Sequence, residues 1–472
     1  MPTGGKQMKY IIAGLIISSV LPCTSYAKII TPDNQTDLNI TIYNEDRALV
    51  SDTRNTTLTQ GFNSIAFSDI SSQIIAQSAL LSGNNILLIE QNFNYDLLSE
   101  SSLLEKAVGS GVFIEYTNPV TGEVKTQSAE LLAVNGSQPV LKINGKIETQ
   151  YLGRIIFNKV PENLWPTPTL VMDIKSNIQQ NIPLSLSYLT KGLSWQADYV
   201  AQLNETESRM TLNGLVTLTN HSGTAYKNAS IQLVAGDVNI VNDYIQPRIV
   251  ANRLAMTAEM TGIDKTASVE KLSDFYLYTL PHKTDILSNQ TKQIALLSAQ
   301  NIPIKKTYEF DNTLNMEYTS EIKKVRPSMY LNFENKKENN LGIALPKGII
   351  RLYKKDSKNN MLFVGEDKIN HSANLENIRL KMGQAFDITA NGKRVSHIKK
   401  DDKTIQSSYE ITISNGGTND TTVDIYQYMP NQWKITTQNI PYAPINANRI
   451  KWSISVPAQN ETKLSYTLEV KK

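Results

Sequence analysis

Arg449-Ile450-Lys451-Trp452-Ser453-Ile454-Ser455-Val456-Pro457-Ala458-Gln459-Asn460-Glu461-Thr462-Lys463-Leu464-Ser465-Tyr466-Thr467-Leu468-Glu469-Val470 is the stretch that decides the fold class. Ile450, Trp452, Ile454 and Val456 hold every second place in its first half. Leu464, Tyr466, Leu468 and Val470 do the same in its second half. Successive side chains of a strand point to opposite faces, so each run offers one apolar face to a core. The polar stretch Pro457 to Glu461 between them reads as the turn of an antiparallel hairpin.

The same period of two appears wherever the chain shows a pattern. Leu38, Ile40 and Ile42 alternate with polar residues, as do Met210, Leu212, Val216 and Leu218, with Gly214 in one inward slot. Helical signal is scarce. Asp69 to Leu81 suits a short helix or irregular strands, Leu103 to Lys106 suits one helical turn, and Ala251 to Lys271 mixes small and charged residues. The expectation is a mainly β protein: antiparallel β-sandwich domains, a small Sm-like barrel insertion and an immunoglobulin-like C-terminal unit.

The expected boundaries follow from these patterns. Residues 1–27 form a signal peptide, 28–37 a polar lead and 38–100 an N-terminal β layer. Residues 101–157 combine a helical turn with five short strands and tight Asn135-Gly136 and Asn144-Gly145 turns, which fits a small barrel. Residues 158–250 read as a central β-sandwich, 251–271 as a flexible or helical connector, 272–390 as a β-rich continuation and 391–472 as the immunoglobulin-like sandwich.

The N-terminus sets an address. Lys6 and Lys9 precede an apolar run from Tyr10 to Leu21, and Ser25 and Ala27 supply the small side chains that signal peptidase requires, so cleavage is expected after Ala27. The signal reads equally well from Met8. The run is shorter than the ~20 apolar residues of a membrane span. Pro22 stands before Cys23, where a lipid-attachment motif needs a small residue. Cleavage after Ala27 removes Cys23, the only cysteine, so the mature chain is disulfide-free. A chain of this length buries a core without such staples. Loss of the two leader lysines lowers the formal net charge from +3 to +1. With no basic block, nucleic acid is not an expected partner.

Tyr188-Leu189-Thr190-Lys191-Gly192-Leu193-Ser194-Trp195-Gln196-Ala197-Asp198-Tyr199 carries a likeness to a known family. With Gly214 to Asn220, Leu233 to Asn239, Tyr278 to Leu280, Asn289 to Gln293, Asn340 to Gly342, Gly365 to Asp367 and Gly383 to Asp387, it resembles the bacterial domain-of-unknown-function family 4139, distantly related to the mucoidy-inhibitor proteins. Leu103 to Gly109 resembles the N-terminal portion of that family. The resemblance implies an exported, mostly β protein and brings no substrate, cofactor or catalytic residue. His221 departs from the family pattern, which places a plain polar residue after Asn220.

Candidate chemistry is thin. His221, His282, His371 and His397 are the only histidines, and no two stand at zinc-ligand spacing, so no metal site is expected. No Gly-x-Ser-x-Gly elbow or phosphate loop occurs. Glu366 and Asp367 are neighbours, and Asp387 follows Phe386, but adjacent strand residues face opposite ways and make a poor glycosidase pair. Asp237 alone makes no calcium site. Parity places Trp195, Ala197 and Tyr199 on one strand face and Ser194, Gln196 and Asp198 on the other. The first set reads as core rather than as an aromatic platform for a ligand. Catalytic, cofactor and metal residues are therefore expected to be none, with no cofactor and no ligand-binding residue assigned. The expected role is a non-enzymatic cell-envelope protein in the periplasm or at the cell surface, an interaction or structural module meeting an envelope protein or a surface polysaccharide. The alternatives are an envelope glycan hydrolase with an unrecognised carboxylate pair, or a periplasmic assembly factor that pairs through β-edges.

Overall fold

The computed structural model describes residues 27–94, 97–136, 138–151, 153–161, 164–236, 268–272, 275–316 and 319–471. The expected leader lies outside the described residues except Ala27. So does the 251–271 connector, except its end, which belongs to the strand Ser268–Leu272. The chain is mainly β, in antiparallel and mixed sheets. It forms two compact units. One takes the chain through Thr36, Arg54–Ile70 and Leu81–Ser185. The other takes Asp37–Thr53, Ser71–Leu80 and Leu186–Lys472.

The first unit holds a four-stranded sheet in the order Lys28–Ile30, Gly61–Phe67, Thr169–Ser176, Ile86–Asn94. The expected polar lead thus begins with a strand, parallel to Gly61–Phe67, whose Ile30 is buried. Arg54, also buried, donates to the carbonyls of Ile30 at 2.7 Å and Ser68 at 2.8 Å, with its guanidinium 5.2 Å from the Phe67 ring. Carbonyl acceptors and an aromatic face compensate a cation removed from water.

The same unit contains the helical turn Glu100–Lys106, capped by Ser99, and five strands in the order Lys146–Glu148, Gln138–Ile143, Val124–Asn135, Gly111–Thr117, Arg154–Ile156. Leu104, Ala107, Val112, Ile114, Ala129, Leu131 and Leu141 form its core. The barrel expectation is corrected here. Lys146–Glu148 and Arg154–Ile156 are the two outer strands and do not pair with each other, so the sheet is open. Three residues on each edge offer too few backbone groups for closure.

The second unit contains one sandwich plan twice. In the first sandwich, one sheet runs Gln290–Pro303, Arg209–Asn220, Leu193–Leu203, Gly348–Lys355, Met361–Ile369. The facing sheet includes Phe275–Thr279, Tyr226–Ala235 and Gln35–Tyr43, and Trp195 of one sheet meets Tyr278 of the other at 6.4 Å between ring centroids. In the second sandwich, one sheet runs Glu321–Val325, Ile388–Lys399, Thr404–Asn415, Asn460–Lys471, Trp433–Gln438. The other runs Asn377–Gln384, Ser328–Glu334, Lys305–Asp311, Thr421–Tyr428, Arg449–Val456, Ala443–Asn446.

The register is shared. Leu193 lies opposite Asn220, and Ile388 opposite Asn415. Asn220 lies opposite Gln290, and Asn415 opposite Asn460. Tyr226–Ala235 pairs in parallel with Gln35–Tyr43, and Thr421–Tyr428 in parallel with Lys305–Asp311. The asparagines act alike. Asn220 Nδ2 donates to the carbonyls of Thr224 and Leu287, and its Oδ1 accepts from the Ser222 N–H. Asn415 Nδ2 donates to the carbonyls of Asn419 and Val456, and its Oδ1 accepts from the Gly417 N–H.

Three sequence readings change accordingly. Ile450–Val456 and Leu464–Val470 are not a hairpin. They belong to opposite sheets and face each other across the core, with the Trp452 and Tyr466 rings 4.8 Å apart. Alternation reports a buried face but not the partner strand, and the intervening turn carries the chain between sheets. The expected boundary at 390/391 falls inside the strand Ile388–Lys399, because the second sandwich also draws on residues 305–334. The expected split between 158–250 and 272–390 is crossed as well, since Gly348–Lys355 extends the sheet of Leu193–Leu203.

Trp195 is buried, and its indole N–H has no acceptor among the described residues. Trp195→Ala is expected to cost roughly 3–5 kcal/mol through the cavity it leaves. Trp195→Phe gives up no hydrogen bond and is expected to cost less. Urea melts of the three proteins check the order, and an unchanged midpoint for Trp195→Ala would return this segment to the surface. Asn415→Ala, which strands buried carbonyls, is expected to cost about 1–3 kcal/mol in the same assay.

Candidate functional site

The strand Leu193–Leu203 opens after Gly192, whose φ is +81°. A β-carbon there would stand 2.7 Å from the Ser222 backbone, so the bend requires glycine. Alternation then sends Trp195, Ala197 and Tyr199 into the core as expected. Asp198 takes the opposite face yet is only 5% exposed. The solvent-side reading of that face fails at this residue, because neighbouring side chains close over it.

Asp198 accepts hydrogen bonds from Thr217 Oγ1 at 2.6 Å, Arg351 Nη1 at 3.0 Å and Gln196 Nε2 at 3.3 Å. Gln293 Nε2 donates to Thr217 Oγ1 at 3.0 Å, and Arg351 Nε lies 3.2 Å from Glu366 Oε2. Gln293, Thr217, Asp198, Arg351 and Glu366 therefore make one polar row, with one residue from each strand of the five-stranded sheet. Burial pushes the Asp198 carboxyl up. The Thr217, Arg351 and Gln196 donors and the Arg351 charge outweigh burial and hold it below the ordinary aspartate range. The Asp198 bond in turn raises Arg351. An acid held ionised by three donors binds and braces; it has no proton to give near neutral pH.

The other residues singled out in the sequence are scattered. Glu366 pairs with Arg351, while Asp367 accepts from the Lys381 N–H at 2.7 Å, so the two neighbours serve different strands. Gly365, with φ +149°, permits that approach, since a β-carbon would stand 2.7 Å from the Met382 carbonyl. Asp387 is exposed. His221 lies by Asn289, His371 by Asn44 and His397 by Ser407, and His282 is exposed. Asp237 lies outside the described residues. Among the described residues no group of three His, Cys, Asp or Glu side chains is placed to hold a metal. Sequence reasoning missed Thr217, Gln293 and Arg351. The polar places within alternating strands mark them, but only the strand order shows that they meet.

A family model described as Domain of unknown function (DUF4139) matches residues 184–472. The chain belongs to this family. No curated protein matches the chain. The DUF4139 segment holds all five residues of the polar row and both loop-clamping asparagines, while Leu103 to Gly109 lies outside the match.

Asp198 generates a pH prediction. Its folded pKa is depressed, so its contribution is present above the ordinary aspartate range and is lost as pH falls through the lowered value. Wild-type stability is expected to drop on that acid limb. Asp198→Asn, less stable at neutral pH, is expected to lose stability less steeply there. Denaturant titrations in a pH series measure both slopes, and equal slopes would contradict the assignment.

Proposed function

We propose that this DUF4139 protein is exported and works in the bacterial cell envelope as a non-enzymatic interaction or structural module. The observation that carries the reading is the state of Asp198. The acid in the middle of the strand Leu193–Leu203 is fully engaged by Thr217, Arg351 and Gln196, and Arg351 also engages Glu366. That is how a β-scaffold braces a sheet. Support for export comes from Lys6, Lys9, the apolar run from Tyr10 to Leu21 and the Ser25/Ala27 spacing. No helix among the described residues is long and apolar enough to cross a membrane.

One observation favours a second reading, an assembly factor that pairs through β-edges. Ile86–Asn94 is an outer strand of its sheet and exposes Leu87 at 65% and Ile89 at 50%. An edge of this kind is a template for another strand.

Intact-mass analysis of the exported protein is expected to show Lys28 as the first residue, and a retained, lipid-modified Cys23 would sink the export route proposed here. The mature protein, used as bait on intact envelope, is expected to retain a protein or polysaccharide without shortening glycan. Release of new sugar ends would make it a hydrolase. Loss of capture on Ile89→Lys alone would select the edge-pairing reading.

A further inference from the structure

We propose that the sheet Glu321–Val325, Ile388–Lys399, Thr404–Asn415, Asn460–Lys471, Trp433–Gln438 carries on its outer face a binding site for one neutral sugar residue; this rests on the interaction-module reading and names its ligand. Tyr409, Ile411, Leu464 and Leu468 fill the core from the inner face of this sheet. The opposite parity sends Ser408, Glu410, Ser465 and Thr467 outward.

Two β-bulges shape the outer face. Val395 is the extra residue of Ile388–Lys399, and Thr436 that of Trp433–Gln438. A bulge bends its strand. These two flank the middle pair of strands, where Ser408 stands opposite Thr467, and Thr467 opposite Thr437. Between them lies an open cavity of about 310 Å³. Its floor is the Ser408 and Thr467 hydroxyl pair, 3.0 Å apart, with Ser465 beside it. One wall is Val395, an apolar side chain left 54% exposed, and the other is Thr437, Gln438 and Asn439. Asn439 is fixed in place: its Nδ2 donates to the Lys463 carbonyl at 2.7 Å, and its Oδ1 accepts from the Ser465 N–H at 2.8 Å.

The lining selects the ligand. Its hydroxyls both donate and accept, and its one charged side chain among the described residues is Glu410, an acceptor alone. Lys463 and Lys393 lie 3.0 and 3.1 Å from Glu410 and hold its carboxyl below the ordinary glutamate range. Lysines prevail around the cavity: Lys400 pairs with Glu469, Lys323 with Glu321, and Lys434 stands opposite Glu469. They draw an acidic ligand to the rim, but inside it meets the Glu410 carboxylate. An amine satisfies Glu410 and is repelled by the same lysines. A sugar hydroxyl donates to Glu410 or accepts from Thr437 and Ser408 without displacing a pair, while the C–H face of the ring covers Val395. The volume stands at the lower end of the ~300–1,000 Å³ of small-molecule sites, which suits one ring rather than a chain of them.

The test is saturation-transfer NMR on the full-length mature protein with the methyl glycosides of glucose, mannose and galactose, and with glucuronate as the acidic probe. Transfer to at least one neutral glycoside is expected, and it should survive about 1 M salt, where the screening length is only about 3 Å. Thr437→Val, an isosteric change at an exposed position, is expected to melt like wild type and to weaken binding about fivefold, the loss of one hydrogen bond. Ser408→Ala should weaken it similarly, and Tyr428→Ala, on the opposite sheet, should bind like wild type. Transfer to glucuronate alone, abolished by salt, overturns the proposal. So does binding unchanged in both Thr437→Val and Ser408→Ala, and so does no transfer to any glycoside. If the envelope bait still captures a protein in that last case, the interaction-module reading stands and only the sugar fails. Free sugar appearing in the same spectra would instead sink the non-enzymatic reading.

Discussion

Where a strand leaves a sandwich, its backbone loses ladder partners while still sheltered from water, and every stranded N–H or C=O costs free energy. The second unit meets this constraint with buried asparagines. Asn220 and Asn415 each bind carbonyls from two chain segments and one amide. Asn335 does the same for the loop leading into Gly348–Lys355, donating to the carbonyls of Ile343 and Ala373 and accepting from the N–H groups of Gly342 and Ile343. The amide is the side chain suited to this work, since it carries donors and an acceptor without a charge to desolvate.

Alternation made the strands legible, because a sandwich buries one face of each strand and nearly every core residue obeys that parity. Trp195 and Trp452 were readable for this reason. The pairing was not. The run ending at Val456 and the run beginning at Leu464 look like neighbours, and parity is identical whether two runs share a sheet or face each other. The internal duplication was hidden for a related reason. Its repeats keep register and apolar parity but few identities: Leu193 answers Ile388, and Tyr226 answers Thr421. Only Asn220 and Asn415, each followed by a loop rich in small residues, offered a visible cue.

The candidate site was less legible than the fold. Asp198 stands at a polar position, and such positions ordinarily face water. Its burial depends on Arg351, which is remote in sequence and brought alongside by parallel pairing. The hydroxyl-lined cavity of the second sandwich has the same origin, since Val395, Ser408, Thr467 and Thr437 come from four separate strands. Period-two reasoning predicts which residues point outward. It carries no information on which outward residues meet.

The parallel pairing of Gly348–Lys355 with Leu193–Leu203 also has a bearing on how the chain is made. Ala197 waits for Gly348, about 150 residues later, before its strand gains its second neighbour. A chain emerging from its N-terminus therefore exposes an apolar strand with an unfilled edge while about 150 further residues are made. Such long-range closure slows folding and prolongs the aggregation-prone interval. The two sandwiches are then successive in plan but not in time. The first is completed by a piece cut from the middle of the second, and a gene split between them would leave the earlier half with an open edge.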